Sequence, residues 1–381
     1  MMLKKKKRVL RPVVRVENSI KKLSPVSSKS EVVEPKEVLT KVDDLSVFDT
    51  LYERATEIDE NCLDCSVKVD LGDYTTNFAL MSNGEDGICA TFVDTEGNHH
   101  IGAKFTDFSL SQFSTKVGVP TSYVRKCMKN DRTDLAIDNL NSWMREIEGK
   151  TLFVRKYYDE IAEQQTIRGI LSDRYSCCDT MDILSVLERH IDLDTYKIKE
   201  YFLNEERFHL RLVSKEMLPI DGEDLFSGIF IDSSDIGRSV LKVCFGIYKQ
   251  VCTNGLCIAR NGGTIFEQKH IGITPEEFNK GLISAMGKID VLTENAVEWV
   301  QSSQKHKFTI STQEEMDKFI ANIRQRTLLS EESAKKVINL MENRYSFDRW
   351  GLINGITEVA QDFTLERRLE LEKIAGNILV A

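Results

Sequence analysis

The 381 residues carry 51 Lys and Arg against 60 Asp and Glu, a formal charge of −9, with 41% apolar residues and six prolines. That composition supplies a sizeable core and excludes a collagen-like or low-complexity chain. The charge is unevenly placed: residues 1–42 hold 12 basic and 4 acidic side chains, leaving 39 against 56 for the rest, so a basic arm precedes an acidic body that is a poor general coat for nucleic acid.

Residues 1–44 show neither helical nor strand periodicity and read as a flexible arm. Lys4 to Arg8 looks like the start of a signal peptide, but Arg11, Arg15, Glu17 and Asn18 interrupt the stretch after it, so no apolar segment follows. Nine cysteines, an odd number without framework spacing, indicate thiols in a reducing cytosol. The apolar run Val240 to Tyr248 is too short to span a bilayer. A cytoplasmic protein is expected, of α+β class, with antiparallel sheets in the N-terminal and central parts and a mainly helical last third.

Residues 45–150 predict a small α+β region. A helix covers Val47 to Ile58; strands follow at Ser66 to Leu71, Tyr74 to Met81, Ile88 to Val93 and His99 to Phe105, the last two joined by a turn at Asp94 to Asn98. Two short helices then meet at Gly118-Val-Pro120-Thr121, the outline of a helix-turn-helix with Lys116, Arg125, Lys126 and Lys129 available for phosphates. Ordinary packing of an αα-corner explains the same pattern, and Phe113 is bulky for a DNA-reading unit.

Residues 151–273 predict a strand-rich region with one helix near Met181 to His190. In it, Gly228 to Ile231 is a strand, Asp232 to Gly237 a turn, and Arg238 to Cys252 a long strand with Leu241, Val243, Phe245 and Ile247 on one face. Reversals are expected at Cys252 to Gly255 and at Asn261-Gly262-Gly263. Residues 274–381 are helical: Thr274, Pro275 and Glu277 form a capping box, and later helices start at Thr312, Ser330 and Thr364. Phe278, Leu282, Ala285, Ile289, Leu292, Ala296 and Trp299 form a heptad-like seam in one long helix, packed on the protein's own sheet or, alternatively, on a second copy.

Four groups of residues could carry chemistry. Asp173 could orient the guanidinium of Arg174 toward phosphate or carboxylate, beside Tyr175; a surface ion pair next to a helix start is the plain alternative. Arg238 and Lys242 lie on the polar side of the long strand. If the chain folds back twice, Cys252, Asn254 and His270 approach as nucleophile, orienter and base, next to Gly255; a cysteine at a strand end is more often packing. Cys62-Leu-Asp-Cys65 is half of a zinc site, but no second pair follows, and adjacent His99 and His100 point to opposite faces of a strand, so neither a metal nor a cofactor is expected. No phosphate-binding or dinucleotide glycine loop is present.

Arg168-Gly-Ile-Leu-Ser-Asp-Arg-Tyr175, Ser234 to Ser239, Val251 to Leu256 with Lys269-His270, and Asp348-Arg-Trp350 with Asn354 together resemble the phage and plasmid family called domain of unknown function 932. Leu110 to Tyr123 is similar to a further segment of it. The resemblance implies a mobile-element origin and no known activity. The leading expectation is a DNA-associated accessory protein that binds or anneals single strands in recombination, with Arg174, Arg238 and Lys242 on phosphates and Tyr175, Tyr248 and Trp350 as stacking platforms. The alternatives are a protein that blocks a host defence enzyme, and an enzyme centred on Cys252 and His270.

Overall fold

The structure, a computed structural model, describes residues 40–41, 47–72, 76–84, 87–192, 194–249, 254–258 and 264–381. Most of the arm expected over residues 1–44 therefore lies outside the described residues. In chain order the elements are β1 (Thr40–Lys41), α1 (Val47–Asn61), β2 (Cys62–Lys68), β3 (Phe78–Ser82), β4 (Ile88–Val93), β5 (His99–Phe105), α2 (Asp107–Lys116), α3 (Thr121–Lys129), α4 (Thr133–Trp143), β6 (Thr151–Asp159), β7 (Gln164–Ser172) and α5 (Thr180–His190). Then follow β8 (Tyr196–Leu203), β9 (Phe208–Met217), β10 (Leu225–Ser233), β11 (Leu241–Lys249), β12 (Asn254–Ile258), β13 (Thr264–Gln268), and six helices: α6 (Pro275–Met286), α7 (Ile289–Lys305), α8 (Gln313–Thr327), α9 (Glu331–Asn343), α10 (Arg349–Ala360) and α11 (Leu365–Leu379).

The strands form two mostly antiparallel sheets, and the α+β class holds. The first sheet has the order β2-β6-β7-β5-β4-β3, with β5 and β7 its parallel pair. It therefore runs across residue 150: β6 and β7 complete the sheet begun by β2 to β5, and no boundary falls between the two strand regions. Val67, Phe78, Phe92, Ala103 and Val154 on one face pack against Leu110, Phe113, Val124 and Leu140 of the α2–α4 cap. Gly118, at φ +76°, makes the α2–α3 corner in a backbone region that a side chain would strain. Phe113 is fully buried in this core.

The second sheet has the order β1-β8-β9-β10-β11-β12, and β13 also pairs with β11. Leu241, Val243, Phe245 and Ile247 share one face as their alternation predicts, and all join the large core with α1, α5 and the C-terminal helices. The capping boxes at Thr274/Glu277 and Thr312/Glu315 form with both reciprocal hydrogen bonds. Ser330 caps α9 by accepting from the Ser333 N–H.

Two sequence expectations fail here. The long helix is broken: α6 ends at Met286, Gly287 and Lys288 turn the chain, and α7 starts anew. Phe278, Leu282, Ala285, Ile289, Leu292 and Ala296 are all buried in the chain's own core, so this seam is used internally and does not offer the face expected for a second copy. The second correction concerns the reversal at Asn261-Gly262-Gly263, residues that themselves lie outside the described set. β12 pairs with Phe245 to Lys249 and β13 with Leu241 to Cys244. Both segments thus run the same way along one edge of β11, as a single interrupted strand.

Candidate functional site

Part of the family-like pattern, Arg168, Gly169, Tyr175, Ser234 to Gly237 and His270, meets where the two sheets join. Asp64 of β2 lies directly across from Arg155 of β6, and Arg155 pairs on its other side with Gly169 of β7. Gly169 leaves the space above it to Ile236: a β-carbon there would stand 3.0 Å from Ile236 Cβ. The Ser234–Gly237 turn therefore lies over the first sheet. Gln112 of α2 fixes it further, donating to the Ile236 carbonyl at 2.9 Å while accepting from the Ile170 N–H at 2.8 Å.

Arg155 is the hub. Its guanidinium donates to both carboxylate oxygens of Asp179 at 2.6 Å, to Asp64 Oδ2 at 2.7 and 3.1 Å, and to the Asp235 carbonyl. Asp179 is also the N-cap of α5, in a capping box with Asp182. Burial works against the Asp179 charge, but Arg155 prevails and holds the carboxyl below its usual value. Asp235 lacks such a partner. Burial, then the neighbouring Asp179 charge, pushes it up to about 7, and its carboxyl accepts from Thr180 Oγ1 at 3.2 Å. Tyr175 donates its hydroxyl to the Asp235 and Ser234 carbonyls, and its ring stacks on His270, centroids 5.4 Å apart and planes 7° from parallel.

This joint is a packed connection with little room. Arg168, Asp179, Thr180, Asp235 and Cys62 border a cavity of about 10 Å³, the space of one water molecule. Burial raises the Cys62 thiol to about 12, so it is not the thiolate that nucleophilic chemistry requires.

The other sequence-predicted site residues are dispersed. Asp173 and Arg174 are exposed on the turn after β7. Arg238 pairs with Glu206 at 3.2 Å and Lys242 with Glu267 at 2.7 Å. Trp350 is buried, its Nε1–H donating to Glu223 at 2.7 Å; Asn354 donates to the Trp350 carbonyl one helical turn back. Tyr248 is buried as well, which leaves it, like Trp350, unable to stack on a base. A β-carbon on Gly255 would meet the Arg211 guanidinium, so this glycine serves packing.

Of the expected Cys252–Asn254–His270 group, the two described members, Asn254 and His270, do not meet. Cys252 lies outside the described residues. Asn254 pairs with Lys249 at one end of β11, whereas His270 follows Gln268, which pairs with Leu241 at the other end. Eight strand steps separate those ends, about 26 Å. The collinear course of β12 and β13 is the cause. His270 is buried with both ring nitrogens unpartnered among the described residues, and burial pushes its pKa down.

The exposed chemistry lies on the helical cap. On α3, Arg125, Lys126 and Lys129 are all exposed, and the helix contains no acidic residue. Arg125 forms a two-pronged pair with Asp107 of α2, which leaves Lys126, Lys129 and nearby Arg132 as the outward charges. Asp134 and Asp138 on the neighbouring α4 are exposed as well. Asn139 of α4 donates to the Tyr123 hydroxyl of α3 at 2.9 Å, and one turn further along α4 stands Trp143, 51% exposed. Sequence reading overlooked Trp143 because nothing local distinguishes it from a core tryptophan. Between the β5–α2 junction and α3 is a groove of about 170 Å³ bordered by Lys104, Phe105, Thr106, Asp107 and Met128, smaller than the roughly 300–1,000 Å³ of small-molecule and cofactor sites.

Comparison with known families finds that residues 168–375 match the family model described as "Domain of unknown function (DUF932)". No curated protein and no solved structure matches the chain. Among the described residues, no helix is long and apolar enough to cross a membrane.

Proposed function

The chain belongs to the family of domain of unknown function 932, a membership that assigns no activity, and from that premise we propose that it is a nucleic-acid-associated accessory protein of a mobile element. Its charge pattern carries the reading: five consecutive basic residues, Lys4 to Arg8, and the exposed Lys126 and Lys129 of α3, a helix without acidic residues of its own, stand out from an otherwise acidic chain. Phosphate contacts by such residues are sequence-independent and gain affinity from counterion release. Trp143 supplies a base-stacking surface that tolerates any sequence. Single-stranded nucleic acid fits this combination best, because an exposed tryptophan can stack only on bases that are not already paired.

Fluorescence anisotropy of a labelled oligothymidine tests the proposal. Log affinity should fall linearly with log salt, and replacing Lys4 to Arg8 by serine should lower that slope by about 0.7 for each lost contact. Lys126→Glu with Lys129→Glu should weaken binding further. Trp143→Ala should cost about 1–3 kcal/mol. Absence of binding at low salt, or binding indifferent to all of these changes, overturns the proposal; preference for duplex over single strands would reassign α3 to groove contacts.

A further inference from the structure

On the face of the first sheet opposite the Arg155 joint, three side chains of metal-ligand type meet. Cys65 comes from β2, Asp94 from the turn after β4, and His100 from β5, and one ligand atom of each lies within 4.8 Å of the other two. β2 and β5 are not neighbours, since β6 and β7 stand between them. The sheet curls until the β4–β5 turn reaches β2, where the Thr95 N–H donates to the Ser66 carbonyl at 2.8 Å.

The carboxylate is fixed in advance. Asp94 Oδ1 accepts from the Glu96 and Asn98 N–H groups, each at 2.9 Å, and Oδ2 lies 3.0 Å from His100 Nε2. The His100 ring is braced by Phe92, centroids 4.7 Å apart. His99 is exposed, so the alternation of the strand selects one histidine for this cluster.

We propose that Cys65, Asp94 and His100 bind a zinc-class divalent cation through Sγ, a carboxylate oxygen and Nε2, pinning the β4–β5 turn to β2. Thiolate, imidazole and carboxylate together are a donor set that zinc accepts and that magnesium and calcium, which need oxygen, do not. Three protein donors leave a fourth position for water. The other clustered set, Asp64, Cys177 and Asp179, differs: the Arg155 guanidinium already lies between its two carboxylates.

Lys156 lies on the other side of the ring, its Nζ 2.7 Å from His100 Nδ1, so Nδ1 is already engaged and Nε2 is the nitrogen turned toward Asp94. These residues precede the family match and are independent of the basic face.

The test uses the full chain, stripped with a chelator and titrated with Co²⁺ and then Zn²⁺. One equivalent of Co²⁺ should give a thiolate-to-cobalt charge-transfer band, displaced by Zn²⁺, and a raised melting temperature. Cys65→Ser should abolish the band, His100→Gln and Asp94→Asn should weaken binding at least tenfold, and Cys177→Ser should leave it intact. No stoichiometric band in the folded chain, or a band that survives both Cys65→Ser and His100→Gln, overturns the proposal. If Cys65→Ser fails to fold, the contrast between His100→Gln and Cys177→Ser decides.

Discussion

Asp235 keeps its proton in the folded chain up to about pH 7, while an ordinary aspartate loses it near 3.8. The folded state therefore holds more protons than the unfolded state across that interval. Its stabilising effect is complete below about pH 4 and is lost as pH rises toward 7. Asp235→Asn should flatten this part of the profile, measured as urea midpoints across the window, and an unaltered slope would contradict the assignment. The sequence pointed to Ser234 through Gly237 and to Tyr175, which do meet. It gave no sign of Arg155 or Asp64, because a hub and its partner 91 residues away leave no local pattern. Asp173 and Arg174, prominent in the linear motif, stay at the surface because the turn after β7 directs them outward.

Elements with local chemistry were the most legible. Thr274 and Glu277 announce α6 because a capping box is built within four residues, and the same holds for Thr312 and Glu315. Thr312→Ala should cost about 1 kcal/mol by denaturant unfolding. Less legible were interruptions: the heptad spacing passes smoothly through Gly287, yet the helix ends there, since a seam that packs on a sheet need not remain one rod. Nor could turn residues reveal that β12 and β13 are collinear, as pairing partners are decided by β11. Close approach is likewise invisible in sequence. A β-carbon on Gly376 of α11 would fall on the Cys257 carbonyl of β12, so Gly376→Ala, favourable for an isolated helix, should instead destabilise by about 1–3 kcal/mol. Equal or higher stability would show that α11 can move away.

At the scale of the whole chain, an ionic group holds α11 to the second sheet. Arg211 of β9 pairs with Glu200 of β8 and Glu372 of α11, and Arg368 bonds Glu372 at 2.9 Å and Glu200 at 3.0 Å. All four are buried. Removing one member leaves its partners charged without compensation, so Glu372→Ala should cost about 3–5 kcal/mol in denaturant unfolding, whereas removing the exposed Lys318–Glu314 pair should cost under about 1 kcal/mol. Fold class and charge asymmetry were readable from composition and periodicity. Which strands share a sheet was not, because β2 finds its partner β6 only after β3, β4, β5 and three helices have intervened.

That separation sets a schedule for the chain as it is made. At roughly 5–20 residues per second, Arg155 emerges about 5–18 s after Asp64, and Asp235 follows 80 residues behind Arg155. Until then the joint between the two sheets cannot close, because Asp179 and the Asp235 carbonyl, two of the three groups that Arg155 binds, have yet to be made.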